Sequence, residues 1–164
     1  MKNIIVLGAG TAGTMAANFL VKEKAFKDWR ITVIDKNDDH DYQPGYLFVP
    51  FGMSPAKRVT KSRVKFLPKG INYVQADVTE IDRTNQQVIL ESGEALPYDQ
   101  LLIATGTVPR PDLVPGMKDG KLWRDKVFDF YTLSGAEALK GQLENFKKGR
   151  LVINICEMPI KCPV

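Results

Sequence analysis

Residues 4–13 read Ile-Ile-Val-Leu-Gly-Ala-Gly-Thr-Ala-Gly, and this stretch restricts the fold more than any other in the chain. Four apolar residues make a short buried strand. Gly8, Gly10 and Gly13 then carry the G-x-G-x-x-G spacing that opens a helix. Each glycine has a distinct task. Gly8 permits a tight turn, Gly10 lets backbone approach a pyrophosphate, and Gly13 allows close helix–strand packing. The free N–H groups and positive dipole end of the helix N-terminus suit a diphosphate.

The glycine spacing alone is weak, and its setting decides its worth. Ala12, Met15, Ala16, Phe19 and Leu20 recur at helical spacing and predict the apolar face of that helix. A second strand, Ile31-Thr32-Val33-Ile34, runs into Asp35. Asp35 stands 22 residues after Gly13, the separation expected of an acid that bonds an adenosine ribose. The bland alternative is a solvated carboxylate in the turn 35–39. Strand, glycines, helix, strand and acid in this order predict a βαβ unit that binds an ADP-containing cofactor.

Further along, residues 71–76 read as a strand, and residues 77–81 and 87–91 as two strands of a β-meander. Residues 101–104 read as another buried strand, ending in Thr105-Gly106-Thr107. The aromatic loop 41–50 is either functional or packed on the sheet. Pro109, Pro111 and Pro115 predict an extended connector. Ser134 and Glu137 match a capping box, and Ala136, Leu139, Leu143 and Phe146 form a helical stripe behind it. Lys147 and Lys148 fill the last turn and Gly149 stops the helix. Residues 151–155 predict a strand that begins a second βαβ domain. The expected division is 1–116 and 117–164, the N-terminal portion of a longer protein.

Composition narrows the classes. With 164 residues and 44% hydrophobic content, one sizeable core is attainable. The single histidine, His40, excludes a His-based metal cluster or a Ser-His-Asp triad within the chain. Cys156 and Cys162 are the only cysteines, too few for a disulfide framework, and point to a reducing, cytoplasmic compartment. No apolar run is long enough to span a membrane. The net charge of +4 is dispersed, without the aromatic interleaving of a nucleic-acid site. The basic stretch Lys57, Arg58, Lys61, Arg63 and Lys65 is either a solvated face or a peripheral contact with anionic lipid.

Gly8-Ala9-Gly10-Thr11-Ala12-Gly13, Asp35 and Ala104-Thr105-Gly106 together resemble the two-dinucleotide-binding-domain flavoproteins of the pyridine nucleotide-disulfide oxidoreductase superfamily. The resemblance implies an α/β fold: a Rossmann-like FAD-binding domain with parallel sheet and β-meander, plus the start of a second dinucleotide-binding-like domain. It implies FAD as cofactor. The implied contacts are Gly8, Gly10, Thr11, Ala12, Gly13, Asp35, Lys36, Val78 and Gly106, with Ala104 and Thr105 at the strand end beside them.

The last residues narrow the branch. Most members carry a second glycine fingerprint for NAD(P)H after the connecting helix. Here no glycine follows Gly149, and a backbone with side chains throughout, and with prolines, does not admit a pyrophosphate closely. Met158-Pro159-Ile160-Lys161-Cys162-Pro163-Val164, the Tyr42-Gln43-Pro44-Gly45 loop and the strand end 104–109 are similar to the sulfide:quinone oxidoreductase branch. That branch implies Cys162 as a catalytic redox cysteine over the flavin, with sulfide and quinone as substrates. A thiolate is the reactive form, and a disulfide or persulfide accepts HS⁻ by exchange. Lys161 stands ready to stabilise it or points away. A buried, inert Cys162 is the bland alternative. Self-association is compatible with the branch.

The chain departs from the pattern in two places. The branch uses a second redox cysteine, absent from these residues, and the stretch 127–131 lacks the third cysteine of some members. A local Cys156–Cys162 disulfide stays open. Two other readings remain: an FAD-linked NADH dehydrogenase or disulfide reductase of the same superfamily, and a non-catalytic flavin-binding regulatory module.

Overall fold

The apolar run of residues 4–7 becomes β1 (Asn3–Leu7), the centre of a four-stranded parallel sheet. A computed structural model of the chain describes residues 1–155. It divides them into two compact units, one built from Met1–Asp41 and Thr60–Thr107, the other from Tyr42–Val59 and the chain from Val108 onward.

In the first unit, β1 leads into α1 (Thr11–Leu20) and returns as β2 (Arg30–Asp35), the expected βαβ crossover. A short antiparallel pair follows, β3 (Asp39–Asp41) with β4 (Thr60–Ser62). Then come β5 (Asn72–Gln75), the antiparallel meander β6 (Val78–Asp82), β7 (Gln87–Leu90) and β8 (Ala95–Pro97), and finally β9 (Gln100–Ile103). The parallel sheet runs β5-β2-β1-β9.

Strand alternation explains the layers, because successive side chains point to opposite faces. Ile4, Val6 and Val33 meet Ala17 and Leu20 of α1 on one face. Ile5, Leu7 and Ile34 meet Val88 and Leu90 of the meander on the other. Covering both faces is what requires uninterrupted apolar strands.

Two expectations in this unit fail. The buried face of α1 is Gly13, Thr14 and Ala17, whereas Met15 and Phe19 are 67% and 61% exposed. Gly13 packs against the Gly8 carbonyl, and that close approach fixes the helix rotation through its small residues rather than its large ones. The strand at 101–104 is not buried either. It is β9, at a sheet edge, where Leu101 packs on the meander side but Ile103 is 61% exposed.

In the second unit, α2 (Leu133–Asn145) packs Leu133 and Ala136 on Tyr46, Val49 and Val59. The aromatic loop contains a 3₁₀ turn, Gln43–Phe48, whose Tyr46 is core through its packing with α2 of the same unit, where packing on the sheet was expected. The Ser134–Glu137 capping box does not form. Thr132 is the N-cap, its hydroxyl accepting from Gly135 N at 3.0 Å. Asp129 holds Thr132 in place by accepting from its N–H at 2.8 Å, which sets the helix start two residues earlier than Ser134 would. Lys147 and Lys148 lie beyond the last turn. Residues 151–155 form no strand and are exposed, because no strand among the described residues of this unit offers them a ladder. Among the described residues no helix is long and apolar enough to cross a membrane.

Candidate functional site

β1 ends in a turn that only glycine makes comfortably. Gly8 has φ +89°, and a Cβ there would strike the Ala104 carbonyl. Gly8 N–H donates to Ile34 O at 2.8 Å, and Ala104 N–H donates to Leu7 O at 2.7 Å. The ends of β1, β2 and β9 therefore converge, bringing Asp35 and the 104–106 segment to the glycine loop. This is the C-terminal edge of a parallel sheet, where α/β folds bind ligands.

Gly10 is the N-cap of α1, with no side-chain cap and no acidic residue in the first turn. A Cβ at Gly10 would meet nothing within 4 Å. Among the described residues, the N–H groups of Gly10, Thr11 and Ala12 have no protein acceptor. Such a terminus is a receptor for an anion. Gly13 lies beneath, against the Gly8 carbonyl.

Beside the loop opens a cavity of about 560 Å³, lined by Gly8, Asp35, Lys36, Val78 and Thr105 among others. Five of the residues singled out by sequence thus share one cavity. Gly10, Thr11 and Ala12 are not among its lining residues and follow the lining residue Gly8 in the chain, while Ala104 and Gly106 are neighbours of the lining residue Thr105. Ala104 serves by its hydrogen bond to Leu7, and Gly106 turns the chain with φ +72°. Cys162, with Cys156 and Lys161, lies outside the described residues.

Asp35 is more engaged than a solvated turn carboxylate. Its Oδ2 accepts from Ala9 N–H at 2.7 Å and pairs with Arg63 Nη1 at 3.2 Å. Its Oδ1 meets only Asn37 N–H, at 3.4 Å, so that oxygen retains acceptor capacity for a ligand hydroxyl. Arg63, read from sequence as part of an exposed basic stretch, is 6% exposed. It donates to Asn37 O and Asn37 Oδ1, each at 3.0 Å, and to Asp39 O. Tyr73 Oη donates to Asn37 O at 2.9 Å. Burial holds the Tyr73 phenol above its ordinary value, with the Asp35 and Asp38 charges adding and Arg63 opposing. A hydrogen bond from Ser62 comes first among the causes that hold the Asp38 carboxyl below the usual range. His40 reaches the loop from β3, with Nδ1 3.3 Å from Ala9 O and its ring against Phe66. Sequence reasoning missed both Arg63 and His40 here. Their partners lie 24–31 residues away, and no local periodicity marks them.

These residues fit a dinucleotide: free N–H groups for the diphosphate, an open carboxylate oxygen for a ribose, and a cavity that the carboxylate residue lines. Residues 2–153 match the family model of pyridine nucleotide-disulphide oxidoreductases. A mitochondrial sulfide:quinone oxidoreductase of Dictyostelium discoideum is 28% identical over 97% of this chain and 35% of its own length. A type II NADH:quinone oxidoreductase of Staphylococcus aureus is 33% identical over 72% of the chain and 29% of its own length. The crystal structure of the sulfide:quinone oxidoreductase from Aquifex aeolicus superposes with a TM-score of 0.69 at 22% identity, covering 89% of this chain and 32% of that one. The chain spans about a third of the length of the curated relatives it matches.

Proposed function

The chain belongs to the pyridine nucleotide-disulphide oxidoreductase family, whose Rossmann-type fold takes FAD, and from that premise we propose that it is the FAD-binding portion of an oxidoreductase that oxidises sulfide and reduces a quinone. The observation that carries the FAD site is the uncapped terminus of α1 beside the cavity of Asp35, Lys36, Val78 and Thr105. The N–H groups of Gly10, Thr11 and Ala12 would hold the diphosphate. Asp35 Oδ1 would accept from the adenosine ribose, with Lys36 alongside. Bound FAD supplies a ring that accepts two electrons from a donor and gives them up to an acceptor.

Support for sulfide comes from coverage. Similarity to the sulfide:quinone oxidoreductase runs over 97% of the chain, and to the NADH enzyme over 72%. The C-terminal residues, with Cys162 and without a second glycine fingerprint, fit a sulfur donor better than a nicotinamide. In this reading a disulfide between Cys162 and a second cysteine of the full-length protein would accept HS⁻ by exchange, the S–S bond breaking to leave a persulfide on one cysteine and a thiolate on the other. The test is anaerobic mixing of the full-length flavoprotein with sulfide. Cys162→Ala is expected to keep FAD and lose sulfide-driven bleaching, and undiminished bleaching removes the cysteine from the mechanism.

The second reading, an NADH:quinone oxidoreductase, is favoured by the higher identity, 33%, of the Staphylococcus aureus relative. Rapid bleaching by NADH in the same experiment would select it. A quinone acceptor, which resides in membrane lipid, favours a peripheral membrane contact, while the sparse cysteines favour a reducing, cytoplasmic compartment. Lys61 and Lys65 of the first unit are exposed, as are Lys57 and Arg58 of the second, and flotation with anionic vesicles at low salt, lost at high salt, would bear out a contact with anionic lipid.

A further inference from the structure

We propose that His40 is a positioning residue for the cofactor's diphosphate, acting through the peptide between Ala9 and Gly10. The proposal rests on the FAD site described above and deepens it.

In a trans peptide the C=O and N–H point in opposite directions. Fixing the Ala9 carbonyl therefore aims the Gly10 N–H. Two donors converge on that carbonyl oxygen: Thr14 Oγ1 at 2.9 Å, from within α1, and His40 Nδ1 at 3.3 Å, from β3. A carbonyl only accepts, so His40 carries its proton on Nδ1 in this contact. On the far side of the peptide the Gly10 N–H has no protein acceptor among the described residues, and a Cβ at Gly10 would meet nothing within 4 Å. The other side of Ala9 is held as well, because its N–H donates to Asp35 at 2.7 Å.

His40 is itself held rigidly. Its ring lies 4.5 Å from Phe66, tilted by 31°. Its backbone pairs with Lys61 across β3–β4. Buried Arg63 ties the turn before β3 by bonding Asn37 and the Asp39 carbonyl. The β3–β4 pair thus reaches the glycine loop through one imidazole. Without that donor, Thr14 alone restrains the carbonyl. Ordering of the Gly10 peptide is then deferred to the moment of binding, which weakens affinity.

The experiment uses the full-length protein stripped of flavin. His40→Phe keeps an aromatic ring on Phe66 but removes the donor. His40→Asn restores an N–H near the position of Nδ1. Fluorescence titration with FAD is expected to show a loss of roughly three- to tenfold for His40→Phe. His40→Asn should recover most of it, and the thermal midpoints of both apo-proteins should stay within about 2 °C of the parent. The Gly10 amide resonance should shift in His40→Phe and return in His40→Asn. FAD affinity of His40→Phe within twofold of the parent, or no recovery in His40→Asn, overturns the proposal. So does a His40→Phe protein that fails to fold, since His40 then serves the core. The parent protein separates the two levels of inference: FAD binding by the parent with unaffected variants removes only the role of His40, and no FAD binding by the parent removes the site as well.

Discussion

Gly13 carries a hydrogen where a methyl group would collide with the Gly8 carbonyl, and Gly10 carries one where a methyl would meet only open space. Gly13→Ala is therefore expected to destabilise the apo-protein by about 1–3 kcal/mol in urea unfolding, the range for overpacking. Gly10→Ala should cost less than about 1 kcal/mol, mainly from a poorer N-cap, yet should abolish tight FAD binding by filling the space the diphosphate needs. Tyr73 gives the matching pH signature. Burial first, then the Asp35 and Asp38 charges, raise its pKa above the ordinary tyrosine value, so the native state holds the proton more tightly than the unfolded chain. That contribution is complete below the unfolded value of about 10 and is lost as pH rises through the folded one. Absorbance titration should show a tyrosine phase at higher pH than that of free tyrosine, and Tyr73→Phe should remove it. The glycines and Asp35 were legible in sequence because their chemistry is encoded by spacing along one βαβ unit. Arg63 and His40 were not. A buried arginine in Ser62-Arg63-Val64 looks like any surface cation until Asp35 and Asn37 are folded onto it.

At the scale of elements, periodicity found every strand of the parallel sheet and two of the three meander strands but misjudged which faces are covered. Helical spacing alone placed Met15 and Phe19 inside, since it counts apolar residues and ignores how closely the backbone must approach. Gly13 and Ala17 form the true contact because small residues allow that approach. β9 reads as buried from composition, but burial depends on neighbours, and β9 sits at the edge of the order β5-β2-β1-β9. The start of α2 was misplaced by two residues for a related reason. Thr132 competes with Ser134 for the cap and wins through Asp129, which also pairs with Arg124 at 2.8 Å. Thr132→Ala should cost about 1 kcal/mol. Ser134→Ala should cost less than about 0.5 kcal/mol, as for a surface site. Chemical denaturation of the two variants distinguishes the caps, and equal losses would restore the Ser134–Glu137 box.

Over the whole molecule, the residues assigned to FAD within the described chain all fall in one compact unit, Met1–Asp41 with Thr60–Thr107. They come from the ends of β1, β2 and β9, from the first turn of α1 and from β6. Because strand order places β1 between β2 and β9, a ligand seated there bridges elements distant in sequence. Its binding energy must then oppose opening of the parallel sheet. A ligand that binds only the native state stabilises it by RT ln(1 + [L]/Kd), about 2.7 kcal/mol at a hundredfold excess over Kd. For amides that exchange by opening of this unit, that energy slows exchange by about a hundredfold. Hydrogen exchange with and without FAD should show the largest gain in β1, β2, β5 and the first turn of α1, with α2 of the other unit as the internal reference. Asp35→Asn should reduce the gain without abolishing it, because the diphosphate contacts remain. A gain centred on α2, or none in β1 and β2, would mean that the cavity beside Gly8 is not where the dinucleotide sits.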